Sequence, residues 1–193
     1  MTQPRAPRAD AVRNRTKILQ AARKQITQHG PDTGMDEIAA AAGVAVGTLY
    51  RHFPTKTDLV AAVVWESVDH VAADAAACLA RAESDGRASE EVISFLGRVV
   101  EASATNLAVK AAASGLGADG DHQDSETRAS DALAALIKHA QAECALRPDL
   151  TVADIYLLMA TAPTDQPPPV RERWLSLVLF GLTRPPRGMP PSA

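Results

Sequence analysis

Apolar side chains recur at three- and four-residue intervals along nearly the whole chain, the spacing of one face of an α-helix, and no stretch alternates with the two-residue period of a half-buried strand. The first such pattern starts at Ala11, where Val12, Arg15, Leu19, Ala22 and Ile26 share a face, and Gly30-Pro31 stops it. Arg13, Lys17, Arg23 and Lys24 fall on its outward side. A short helix is predicted over 35–42, with Gly34 at its N-cap, Asp36 and Glu37 in its first turn, Ile38, Ala39 and Ala42 buried, and Gly43 ending it in a left-handed conformation. Another short helix is predicted from Ala45 to His52, stopping before Pro54.

Thr55 and Asp58 have the spacing of a capping box and open a long helix running to about Ala82. Further helices are predicted over 89–114 (capped by Ser89), 125–146, 149–162 (capped near Thr151) and 170–182. Residues 1–10 read as a disordered basic arm, 115–124 as a Gly/Asp loop, and 184–193 as a proline-rich tail. The fold class is therefore all-α. The predicted organisation is a three-helix helix-turn-helix domain over 11–60, with its motif at about 34–53, and a helical body over 61–183.

The three short N-terminal helices have the layout of a helix-turn-helix. In that motif the second and third helices cross steeply, so their contacts must be small. Ala39 and Ala42 facing Leu49 meet the requirement, and Gly43 permits the turn. The N-terminal end of the third helix must carry short side chains to enter the DNA major groove, and Val46, Gly47 and Thr48 stand there. Tyr50, His52 and Lys56 follow as donors toward phosphates, with Arg51 beside them.

Composition supports a helical fold: 38 of the 193 residues are alanine and aromatics are only 4%. The net charge of −3 at first argues against a nucleic-acid partner. Divided by segment it becomes +4 over residues 1–60 and −7 over 61–193, the asymmetry of a basic front on an acidic body. Cys78 and Cys144 have no metal-like spacing and read as small apolar side chains in a reducing compartment. His122 lies in an acidic loop that reads as solvated rather than metal-binding. No apolar run approaches the roughly 18–20 residues of a membrane helix, and no secretory signal precedes the first helix. With no nucleophile–base pair, phosphate loop or metal spacing, the sequence predicts neither an enzyme nor a cofactor, and places the protein in the cytoplasm.

The run from Ile38 through Gly43-Val44-Ala45-Val46-Gly47-Thr48-Leu49-Tyr50-Arg51-His52-Phe53 to Lys56 resembles the helix-turn-helix signature of the tetracycline-repressor (TetR) family. The likeness covers about residues 11–60. It implies groove contacts by Val46, Gly47 and Thr48, and phosphate contacts by Tyr50, His52 and Lys56. Ala45 departs from the family pattern, which often has a serine there that caps the helix.

The last predicted helix is apolar nearly all round, which requires cover on both sides. A second copy of the chain is the expected cover, with Val170, Trp174, Leu177, Val178 and Gly181 in a homodimer interface. The resemblance implies such a dimer on a palindromic DNA operator, and a small-molecule effector held among the middle helices. Trp65, Phe95, Val99, Ser103, Asn106, Leu136, His139 and Tyr156 are the candidate pocket residues. The expected function is a transcriptional regulator, a repressor released by its effector. The alternative is a DNA-binding adaptor that acts through a protein partner.

Overall fold

The computed structural model describes residues 7–117 and 123–183. Among the described residues there are eight α-helices and no strand: α1 (Pro7–His29), α2 (Met35–Ala42), α3 (Val46–His52), α4 (Lys56–Asp85), α5 (Ala88–Leu116), α6 (Gln123–Ala142), α7 (Val152–Ala160) and α8 (Pro168–Thr183). The all-α expectation holds. The proline-rich tail and His122 lie outside the described residues, as do the first six residues of the expected arm.

The chain divides into two compact units. The first comprises the described residues through Ser67, together with those from Thr105 to residue 117. Its core is built from Ile18, Leu19 and Ile26 of α1, Ile38 and Ala39 of α2, Leu49 of α3, Leu59, Val60 and Val63 of α4, and Val109 and Ala112 of α5. Arg23 of α1 donates to Glu66 Oε2 (3.0 Å) and Ser67 Oγ (3.1 Å) of α4, and Thr27 donates to the Thr105 carbonyl of α5. Thr33, buried in the α1–α2 connection, donates its hydroxyl to the Gly30 carbonyl at 2.9 Å, so this polar side chain is satisfied where it is desolvated. Val12, expected on the apolar stripe of α1, is exposed instead, because core contact begins only at Ile18.

The second unit comprises Val68–Ala104 and the described residues from 123 onward. Cys78, Val92, Phe95, Leu96, Leu136, Ile137, Ile155 and Leu182 form its core. Two bidentate ion pairs join α4 to α5: Arg81 to Glu91 (2.9 and 2.7 Å) and Arg98 to Asp74 (2.8 and 3.0 Å). Both guanidiniums also reach the Cys78 sulfur, and burial pushes that thiol above its ordinary pKa.

Three predicted helix ends are corrected. Helix α5 starts at Ala88 and is not capped by Ser89. Glu143, 55 residues away, accepts from the Ala88 amide at 3.0 Å and from the Ser89 amide at 3.4 Å. Helix α6 ends at Ala142 rather than 146. Cys144 takes a left-handed φ of 55° just past that end, and the Ala145 amide donates back to the Ala140 carbonyl. The Gln141 amide then bonds the carbonyls of Arg147, Pro148 and Leu150 and holds the following turn. Helix α1 starts at Pro7, inside the segment expected to be disordered.

A fourth correction concerns membranes. By length and composition, α5 is apolar enough to cross a bilayer, contrary to the expectation that no segment is. Its large apolar side chains Val92, Phe95, Leu96, Val100 and Val109 are instead buried within the two units.

Candidate nucleic-acid interface

The local sequence builds α2 and α3 with unusual economy of side chains. Gly34 has no side chain to cap α2, so only the return arm of a capping box forms, with Glu37 Oε2 accepting from the Gly34 amide at 2.9 Å. At the other end Gly43 adopts φ 66° and ψ 36°, the left-handed conformation the sequence predicted. The Gly43 and Val44 amides donate to Ala40 and Ala39 carbonyls at 3.1 Å each, a Schellman closure that turns the chain into α3. Ala45 caps α3 with no side-chain acceptor, leaving its carbonyl to receive Thr48 N (2.8 Å) and Leu49 N (3.2 Å).

Helix α3 is held by one face only. Leu49 is fully buried and Phe53, at its C-cap, nearly so. With those positions turned inward, Val46, Gly47, Tyr50 and Arg51 are exposed together on the other face, and Thr48 and His52 are half-buried at its edges. Nothing lies within 4 Å of where a Gly47 Cβ would sit, and its φ is unexceptional. Neither internal packing nor backbone conformation therefore requires glycine there. The structure thus brings six of the seven sequence-predicted DNA-contacting residues onto this one short helix.

The seventh, Lys56, is the first residue of α4. Thr55 and Asp58 cap that helix reciprocally: the Thr55 amide donates to Asp58 Oδ2 (3.0 Å) and the Asp58 amide to Thr55 Oγ1 (3.1 Å). The Lys56 ammonium donates to the Pro31 carbonyl in the α1–α2 connection. An ammonium has three donors, so two remain for a phosphate.

Sequence reasoning gave Arg15 no role at this surface. Its guanidinium stacks over the Phe53 ring at 5.4 Å from the centroid, tying α1 to the C-terminal end of α3. The signal was its place in the apolar stripe of α1, four residues before Leu19.

The eight candidate pocket residues are divided between the two units. Trp65 and Asn106 belong to the first unit, the other six to the second. Phe95 and Leu136 are core, Val99 packs against that core, and Ser103 is half-buried. His139 and Tyr156 are exposed. Asn106 Oδ1 is buried without a hydrogen-bond partner. Two depressions of the second unit hold none of the eight: a groove of about 650 Å³ between Asp69, His70, Ala73 and Ala76 of α4 and Arg128 and Asp131 of α6, and a smaller one of about 340 Å³ beside Arg171.

On α8, Leu175, Val178, Leu179 and Leu182 pack inward. Val170, Leu177 and Gly181 are exposed and Trp174 is half-buried, so four of the five expected interface residues lie away from the core and Val178 packs against it. Arg171, which sequence reasoning passed over, is buried; it donates to Glu101 Oε1 at 2.8 Å and to the Gln166 carbonyl.

Residues 18–63 match the family model described as bacterial regulatory proteins, tetR family, and residues 87–184 match one described as the C-terminal domain of SbtR-like transcriptional regulators. A TetR transcription regulatory protein from Mycobacterium vanbaalenii has a similar crystal structure: 32% identity, 93% of this chain and 100% of that one covered, TM-score 0.77. A TetR transcriptional regulator from Streptomyces coelicolor is 31% identical over 88% of this chain and 98% of its own, with TM-score 0.73. An HTH-type transcriptional regulator of Staphylococcus aureus strain USA300 is 40% identical over 63 residues, 32% of this chain. The match spans about a third of that curated relative's length, 34%.

Proposed function

The chain belongs to the tetR family of bacterial regulatory proteins, and from that membership we propose that it is a homodimeric repressor of transcription that binds a palindromic operator in double-stranded DNA. The observation that carries this reading is the one-sided burial of α3. Leu49 and Phe53 anchor it, and Val46, Gly47, Tyr50 and Arg51 stand exposed in a basic N-terminal segment. Small residues at the N-terminal end of the helix suit entry into a major groove, and Val46 has only a thymine methyl to contact there. Specificity then rests on few base contacts, and affinity leans on phosphates bound by Tyr50, Arg51, His52 and Lys56.

In this reading residues 11–60 serve DNA binding and 61–183 serve effector binding and dimerisation. The exposed residues Val170, Leu177 and Gly181, with Trp174, recur at four-, three- and four-residue steps and form the face on which a second copy packs. A small-molecule effector binds the second part and releases the operator, which requires only that it favour the DNA-incompetent state. The protein works in the cytoplasm, where its operator is. Selection of genomic fragments bound by the full chain tests the reading: it predicts a few enriched palindromes, and a failure to enrich any fragment contradicts it.

A further inference from the structure

We propose that the depression between α5 and α8 beside Arg171 is the effector site of this chain, and that it takes a small neutral apolar molecule carrying one carbonyl oxygen. This inference rests on the effector-responsive reading above and names a site and a ligand class for it.

The walls are apolar, and the one buried polar group is a donor. Val100 is buried and Gly97 and Leu175 are half-buried, and all three line a pocket of about 340 Å³. That volume is at the small end of the range for ligand sites. Arg171 lines it too and is only 9% exposed. A guanidinium carries five N–H donors. Here Nε donates to Glu101 Oε1 at 2.8 Å, Nη2 to Glu101 Oε2 and Nη1 to the Gln166 carbonyl. Among the described residues, two donors are then left over on a group that three bonds already hold in place. A desolvated donor is costly to leave unmade, so a ligand oxygen that meets it is favoured over a hydrocarbon of the same shape.

Charge selects the kind of oxygen. Glu101 already neutralises Arg171, and Glu172 stands at the exposed edge of the pocket. An anionic ligand would face two carboxylates for one guanidinium, whereas a carbonyl oxygen accepts without adding charge. The larger groove on α4 and α6 offers no such anchor, since Asp69, His70, Arg128 and Asp131 are all exposed.

Gly97 points the same way. It stands in the interior of α5, where glycine is less stable than alanine. Its φ is not left-handed, and an added Cβ would lie 3.5 Å from Leu175 Cδ2, an ordinary contact. Neither backbone nor packing requires glycine here; its missing side chain leaves space in the pocket. A ligand held between Gly97 and Leu175 touches the inward side of α8, whose outward side carries Val170, Leu177 and Gly181 of the proposed dimer face. Binding there therefore bears on assembly.

Benzophenone is the probe: it has two apolar rings and one carbonyl oxygen, and under near-ultraviolet light it bonds to C–H groups beside it. By calorimetric titration the full chain should bind it about tenfold more tightly than diphenylmethane, which has nearly the same shape without the oxygen. Photolabelling followed by peptide mass spectrometry should mark α5 and α8 around Val100 and Leu175. Gly97→Met should abolish that label and melt no earlier than wild type. If the larger side chain disturbs the fold, Gly97→Ala is the second variant, and it should weaken binding several-fold at an unchanged or raised thermal midpoint. Equal affinity for the two probes overturns the proposal, and so does full labelling of a folded Gly97→Met chain. Label elsewhere in the second unit also overturns it, while leaving effector binding by that unit in force. A chain labelled at α5 and α8 that recovers no genomic fragment keeps the pocket and sinks the operator-binding reading.

Discussion

Lys56 donates its ammonium to the carbonyl oxygen of Pro31, and so ties the start of α4 to the connection between α1 and α2. The side chain assigned to a phosphate is therefore already oriented by the fold. Lys56→Ala should cost about 0.5–1.5 kcal/mol of stability, the worth of one hydrogen bond. It should weaken binding to all DNA sequences alike, lowering the salt slope by about 0.9 per protomer. Thermal melts and anisotropy titrations at several salt concentrations check both effects. A change of sequence preference alone would contradict the phosphate role.

Two glycines of the motif should respond in opposite ways. Gly43 sits at φ 66°, so Gly43→Ala should destabilise by about 1–2 kcal/mol although there is open space for the added methyl. Gly47 has neither a positive φ nor a close neighbour. Gly47→Ala should be neutral or stabilise by at most about 1 kcal/mol, yet weaken operator binding about tenfold by holding α3 off the groove. Denaturant unfolding paired with DNA titration of the two variants reads both outcomes.

The contrast between these glycines bears on what was legible in the sequence. Helix α2 and the Gly43 turn were readable because their signals are local: small residues at helical spacing and one glycine past the end. The face of α3 was readable for the same reason. The ends of α5 and α6 were not. The cap on Ala88 comes from Glu143, and the left-handed residue after α6 is Cys144, a type that rarely takes that conformation. Pairings between distant helices were equally hidden, since nothing near Arg171 or Glu101 in sequence announces the other. The inward side of the middle helices was not legible either, since residue type does not say which side of a helix faces the core. Leu136 and Tyr156 show the two outcomes, one fully buried and one half exposed.

The Arg171 guanidinium holds the Glu101 carboxyl below the ordinary glutamate range. A carboxyl depressed by folding contributes stability above its unfolded pKa and loses it as pH falls through the folded value. The stability difference between wild type and Glu101→Gln should therefore be constant from about pH 7 to pH 5 and shrink as the solution is acidified further. Urea unfolding across that range measures it. A difference that instead grows on acidification would show that the pair does not act as described.

Helix α8 should govern assembly. Leu177 is exposed at 58%, at the centre of the stripe running from Val170 to Gly181. Leu177→Asp would bring two carboxylates into the same apolar contact and should raise the dimer dissociation constant about 100-fold or more, with little change in the melting of the isolated chain. Sedimentation equilibrium at micromolar concentration reads this. If wild type and variant sediment alike, α8 is not the interface.

The most direct test of the account is the stoichiometry and salt dependence of binding to a fragment recovered by genomic selection. Two chains should occupy each palindrome with half-sites about one helical turn apart, with a steep fall in affinity with salt and a marked weakening by Tyr50→Phe. One chain per fragment, or affinity indifferent to both salt and Tyr50→Phe, would contradict it.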